Sequence, residues 1–255
     1  MNPIKHCTSL ALATAFALSL TTTIPSSLTA GTTDAKNVAP VTPEATFTSE
    51  SWWTMKAHLG YESLHVYRGV DSSGGLPIIW GALDLTLFDA LNLSLFKGND
   101  FDGDYNELTP TISFTHDLGF VSATAGLIWY TFPDEDGLDS EEYFLKLSRD
   151  LPAGFNASLW LSYNPNASGW YNEFKVSHLL PLTDRLSLAT STTLGWSEGQ
   201  RSGGSGLDNL TFAVGLPITL TKNLTLTPLG GYAFALEALE SDDEAWAGIT
   251  LTLQF

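Results

Sequence analysis

From residue 52 to the last residue, 255, the chain repeats one pattern. Segments of about ten residues alternate apolar with small or polar side chains, and turn residues separate them. A period of two puts the two sets on opposite faces of an extended strand. In residues 120–132, Val121, Ala123, Ala125, Leu127 and Trp129 fall on one face and Ser122, Thr124 and Gly126 on the other. After residue 30 no stretch carries a 3.6-residue apolar period, so the expected class is all-β. Twelve segments are legible: 53–69, 76–88, 91–98, 106–116, 120–132, 141–149, 155–164, 170–180, 186–197, 209–217, 223–235 and 245–255. Their connectors alternate between short turns and longer polar loops. An even strand count with that alternation predicts a single antiparallel up-and-down transmembrane β-barrel, most simply of 12 strands and roughly 10–14 given the uncertain edges. Closure is a physical requirement, because backbone amides in hydrocarbon have only one another as partners.

The two faces differ in kind. Leu83, Leu85, Leu93, Ile112, Phe114, Leu159, Leu194, Phe212, Val214 and Leu226 lie on the apolar phase, whereas Ser, Thr, Asn and Gly fill most of the other. Only 15% of residues are charged, below the ~25% of soluble domains. A soluble sandwich would present a charged outer phase; an uncharged hydroxyl phase suits an enclosed wet lumen. Trp52, Trp53, Trp80, Trp129, Trp170, Trp196 and Trp246 stand near segment ends, where interfacial girdles place such rings. A net charge of -17 argues against a nucleic-acid partner, and one Cys cannot build a disulfide framework.

The ends suggest an address. Residues 1–30 combine Lys5 with the apolar run Leu10–Leu20 and small residues leading to Ala30, the pattern of a secretory signal peptide rather than a spanning helix. Residues 31–50 read as a flexible periplasmic leader and 51–255 as the barrel. The last segment ends in Leu251-Thr252-Leu253-Gln254-Phe255. A final alternating strand ending in Phe resembles the signal read by the barrel-assembly machinery of Gram-negative outer membranes. Both ends thus point to export and insertion into the outer membrane, with lipid and lipopolysaccharide as surroundings.

Acid gathers in the long connectors: Asp100, Asp102 and Asp104; Asp134, Glu135, Asp136 and Asp139; Glu237, Glu240, Asp242, Asp243 and Glu244. The spacing of Asp100, Asp102 and Asp104 resembles a calcium loop, although Gly103 is misplaced for an EF-hand. A solvated acidic loop is the simpler reading, with loosely bound divalent cations bridging to lipopolysaccharide as the alternative. No cofactor is implied otherwise.

On the inward phase, charges are few and of both signs: Lys56, His58, Glu62, Asp84, Glu107, Lys146, Glu173 and Lys175. They could form a lumen constriction that selects solutes by charge, or pair across a filled interior. The first segment changes phase near Glu62-Ser63, which a β-bulge would explain, placing Arg68 at the rim as an electrostatic tether. Enzymatic barrels need a constellation that is missing here. Ser177 adjoins His178 but points to the opposite face, and no rim His accompanies the rim Asp residues, so the chain is not read as an enzyme.

Tyr61, Val66-Tyr67-Arg68-Gly69-Val70 and, after a Gly-rich turn, Leu76-Pro77-Ile78-Ile79-Trp80-Gly81 resemble the opening of the TorF-type porin family. Gly126-Leu127-Ile128-Trp129-Tyr130-Thr131-Phe132-Pro133 resembles that family's aromatic strand ending in Pro, and Glu142-Tyr143 begins the next. Asn106-Glu107-Leu108 stands where the family favours Glu-Leu-Asp, with Thr109 departing from it. The resemblance covers roughly residues 53–177 and implies an outer-membrane barrel passing small solutes. The expected function is therefore passive diffusion of small hydrophilic solutes with a weak cation preference from the acidic mouth. The competing expectation is a closed structural or adhesive barrel whose acidic loops bind divalent cations or a surface partner.

Overall fold

The computed structural model describes residues 30–31, 42–43, 52–103, 105–134, 138–201 and 204–255. The export signal expected in residues 1–30, except Ala30, most of the leader, and Asp104, Glu135 and Asp136 lie outside these residues. Among the described residues, twelve long strands close one antiparallel barrel: β1 (Trp53–Glu62), β2 (Ile78–Leu87), β3 (Leu91–Asp100), β4 (Asn106–Asp117), β5 (Ser122–Tyr130), β6 (Ser140–Leu151), β7 (Phe155–Asn164), β8 (Gly169–Pro181), β9 (Ser187–Arg201), β10 (Gly204–Gly215), β11 (Leu224–Ala235) and β12 (Glu244–Gln254). Each pairs with its sequence neighbour, and β12 pairs with β1 from Gly248↔Glu62 to Gln254↔Lys56. A short strand, Ile218–Thr221, continues the sheet beside the beginning of β11. Among the described residues the barrel sheet has no open edge, the condition for a barrel whose outer surface meets lipid.

That outer surface is apolar. Leu59, Ile79, Leu83, Leu93, Leu95, Ile112, Phe114, Leu145, Phe174, Phe212, Val214, Phe234 and Ile249 are all exposed. The alternate residues of the same strands, among them Ser94, Thr111, Ser113, Thr115, Ser191, Thr193, Thr211 and Thr250, point inward and are buried. A water-soluble β protein has the reverse arrangement.

The connections define two ends. Short turns lie at one end, together with the start of β1 and the end of β12; the longer connections 63–77, 131–139 and 236–243 lie at the other, the loop end. Two features of the sequence reading are corrected here. β1 stops at Glu62, not at residue 69, because the chain turns into the barrel instead of bulging along the wall. Trp80 and Trp246, expected in the interfacial girdle, are buried inside at 3% and 5% exposure. Their strand phase decides this: Trp80 shares a face with Asp84, and Trp246 with Thr250.

Trp80 shows how such a ring fits. It lies flat over Gly60, its register partner on β1, where an added Cβ would stand 2.2 Å from the ring's Cε2. Its indole N–H donates to Glu62 Oε1 at 3.0 Å. Gly60→Val must therefore displace the ring and break that bond. The expected loss is about 1–3 kcal/mol, readable as a lower urea midpoint for the barrel refolded in detergent; an unchanged midpoint would mean that the ring does not rest there.

Candidate functional site

The interior divides into two levels. At the turn end it is lined by hydroxyls and a few charges. His58 on β1 bridges Thr252 on β12 through Nδ1 and Asp84 on β2 through Nε2, both at 3.0 Å. Asp84 also accepts from Ser94 on β3, so one polar network ties four neighbouring strands. Lys56 is the register partner of Asp84. Lys175 on β8 stands opposite Ser158 on β7, while Lys146 on β6 and Glu173 on β8, both opposite Trp160, mark the passage to the upper level. The hydroxyls of Thr111, Ser191, Thr227 and Thr250, all buried and inward, find no partner among the described residues. Buried hydroxyls without partners cost about 1–3 kcal/mol each, which favours a hydrated interior at this level.

At the loop end the interior is filled. The chain leaving β1 folds inward as a hairpin, in which Val66–Tyr67 pairs with Val70–Asp71 around Arg68-Gly69. Its base is pinned to β12, where Ser63 N–H donates to the Ala247 carbonyl at 2.8 Å and Ala247 N–H to Ser63 Oγ at 3.0 Å. Its return limb is braced by His65 N–H donating to Ser73 Oγ and Ser73 N–H to Asp71 Oδ1, both at 2.9 Å. Val66 packs with Ala213, Leu229, Ala233 and Trp246 on the β10–β12 wall. Tyr67 joins a cluster that includes Trp80, Phe96, Tyr130, Phe144, Trp160 and Tyr171 on the β2–β8 wall. The hairpin thus touches both walls and spans the lumen.

Arg68, at its tip, is 4% exposed, not at the rim where the sequence reading put it. Its guanidinium donates to Glu142 on β6 through two bonds, 2.9 Å from Nη1 and 2.6 Å from Nη2. It also lies 3.9 Å from the centroid of the Tyr171 ring. A second fork stands beside it: Arg201 donates to Asp208 at 2.8 and 3.0 Å and to the Arg68 carbonyl at 3.1 Å. Asn209 donates to the Tyr171 hydroxyl at 3.2 Å. Bidentate pairs of this kind are the strong, orientation-specific form of ion pair.

The structure places every inward-phase charge named from the sequence inside the barrel, but at different levels. Glu62 accepts from Trp80 and from His65 Nδ1 (3.3 Å) beside the hairpin. Glu107 accepts from the hydroxyls of Tyr105 and Thr109 in the loop-end core. Glu173 accepts from the Tyr171 hydroxyl at 3.4 Å at the edge of that core, with Lys146 across Trp160 from it; Lys56, His58, Asp84 and Lys175 lie below, so the eight do not form one ring. Glu142 enters the sequence analysis only through the family resemblance, and Arg201 and Asp208 not at all. The signals were Glu142 on the inward phase of β6, and an Arg and Asp seven residues apart across the β9–β10 hairpin.

In the acidic connector after β3, Asp100 accepts from the backbone amides of Gly103 (2.6 Å) and Tyr105 (2.9 Å). Its carboxylate therefore caps the turn, while Asp102 is exposed. No group of three or more His, Cys, Asp or Glu positioned to hold a metal ion occurs among the described residues. Phe255 is exposed at the turn end, its N–H donating to the Met55 carbonyl at 2.9 Å.

These features define a closed antiparallel β-barrel of twelve long strands with an apolar exterior, and comparison with solved structures agrees on that fold. The chain is similar to the KdgM porin, with a TM-score of 0.57, 10% sequence identity and coverage of 78% of this chain and 99% of that one. A KdgM porin in complex with disordered oligogalacturonate gives a TM-score of 0.56 at 9% identity, covering 79% and 99%. The NanC porin gives 0.56 at 11% identity, covering 78% and 98%. At such identities the likeness is one of fold. No family model matches the sequence, and no curated protein matches it.

Proposed function

We propose that this protein is an outer-membrane channel of porin type that lets small hydrophilic solutes diffuse, and that the TorF-type resemblance names its family. The observation that carries the reading is the division of surfaces: an apolar exterior around an interior of hydroxyls and charges of both signs. Short turns belong on the periplasmic side of such barrels, so the loop end faces outward and both ends of the barrel lie in the periplasm. The export signal read in residues 1–30 fits this topology. Mixed interior charge argues against strong ion selectivity. Asp71, Glu237, Glu240, Asp242, Asp243 and Glu244 around the loop end favour cations at the entrance.

The test is single-channel recording of the folded protein in planar bilayers. Discrete current steps are expected, with a reversal potential in a KCl gradient on the cation-selective side. Neutralising Glu237, Glu240, Asp242 and Asp243 to their amides should move that potential toward zero. A potential unmoved by these changes would remove the acidic mouth from the account. The filled loop-end interior favours a second reading, a closed barrel that works through its outer loops. The wild-type current separates the two, since a closed structural barrel conducts only after residues 64–76 are replaced by a short Gly/Ser turn, whereas a channel also opens with the hairpin present.

A further inference from the structure

The hairpin of residues 63–77 has an unusual tip. Arg68 and Gly69 both have positive φ, 46° and 80°, as a two-residue hairpin turn of mirror-image type requires. Asn, Asp and Gly take such positions easily; a long side chain at positive φ is disfavoured. Gly69 is further confined, because a Cβ there would stand 2.6 Å from that of Asn209. A strained residue persists where its surroundings over-determine it. Here the surroundings are the Glu142 carboxylate, the Tyr171 ring and the Arg201 fork on the Arg68 carbonyl. The hairpin is thus held at its base by β12, along its limb by the packing of Val66 and Tyr67 on the two walls, and at its tip by polar contacts of Arg68 that water can replace.

We propose that this hairpin is a latched plug: the Arg68–Glu142 pair holds it across the lumen, and its release opens the channel. This rests on the porin reading given above. The plug lies at the loop end of the hydrated interior, so every solute must pass it. Movement of the tip exchanges the guanidinium–carboxylate pair for water while Ser63 keeps the base on β12.

The experiment is planar-bilayer recording of four forms of the full chain: wild type, Arg68→Asn, Arg68→Asn/Glu142→Gln, and the form lacking residues 64–76. Asn suits the turn and removes the guanidinium, and the double variant leaves no unpaired buried carboxylate, which guards against misfolding. Wild type is expected to show small or infrequent openings. Both substituted forms should give several-fold larger or more frequent steps, approaching the form without the hairpin. Equal currents from wild type and both substituted forms, with larger ones when the hairpin is removed, would overturn the latch and leave the porin reading intact. Silence from all four forms would end the porin reading and the latch with it.

Discussion

Glu142→Ala is expected to lower the unfolding free energy by about 3–5 kcal/mol, the usual cost of removing one partner from a buried ion pair. The cause is what remains. Arg68 is 4% exposed and its guanidinium would face Tyr171 and Ser162 without a carboxylate. The pair itself contributes far less net stability, since separating two charges from water offsets most of their attraction. Arg68→Met/Glu142→Leu should therefore recover most of the loss although it deletes both groups. Urea titration of the refolded barrel in detergent, followed by tryptophan fluorescence, reads both quantities. A Glu142→Ala value within about 0.5 kcal/mol of wild type would mean that Arg68 is solvated and the hairpin is not inside the lumen.

The second large effect belongs to the outer wall. Leu83→Arg places a guanidinium near the middle of β2 on the face that meets lipid, where Leu83 is 51% exposed. The expected cost is about 2–4 kcal/mol at the bilayer midplane. Ser191→Lys, at a buried inward position in the hydrated half of β9, should cost no more than about 1 kcal/mol, because its ammonium can reach water. The sign of the difference carries the argument. In a soluble barrel an exposed Leu→Arg substitution is harmless and an inward Lys is ruinous, so refolding the two variants into lipid vesicles separates the alternatives.

Most of the wall was legible from residues because period two encodes it directly. The phases of β2, β4, β5 and β12 needed no tertiary information, and the same phase placed Lys56, His58, Asp84, Lys146 and Lys175 inside. The hairpin was harder to see. His65, Val66, Tyr67 and Arg68 are four consecutive buried residues, and no alternation can describe a segment surrounded on all sides. The phase break at Glu62-Ser63 was visible, yet a bulge and a departure from the wall break the phase in the same way. What distinguishes them is Arg68-Gly69 between Val-Tyr and Val-Asp, a two-residue hairpin whose first turn position holds an unfavoured residue. Only its partner explains that residue, and Glu142 lies 74 positions along the chain. Trp80 and Trp246 misled for a different reason. Position near a strand end suggested a girdle, while phase pointed inward, and phase decides because it is set by covalent geometry.

The face assignment on which everything else stands can be read one residue at a time. In a Cys7→Ser background, single cysteines at positions 109 to 115 of β4 would carry a fluorescent label in lipid vesicles and be exposed in turn to brominated lipid and to iodide. Labels at Pro110, Ile112 and Phe114 should be quenched by the lipid, while those at Thr109, Thr111, Ser113 and Thr115 should escape it. Lipid quenching at the Thr and Ser positions, or at neither set, would contradict the account.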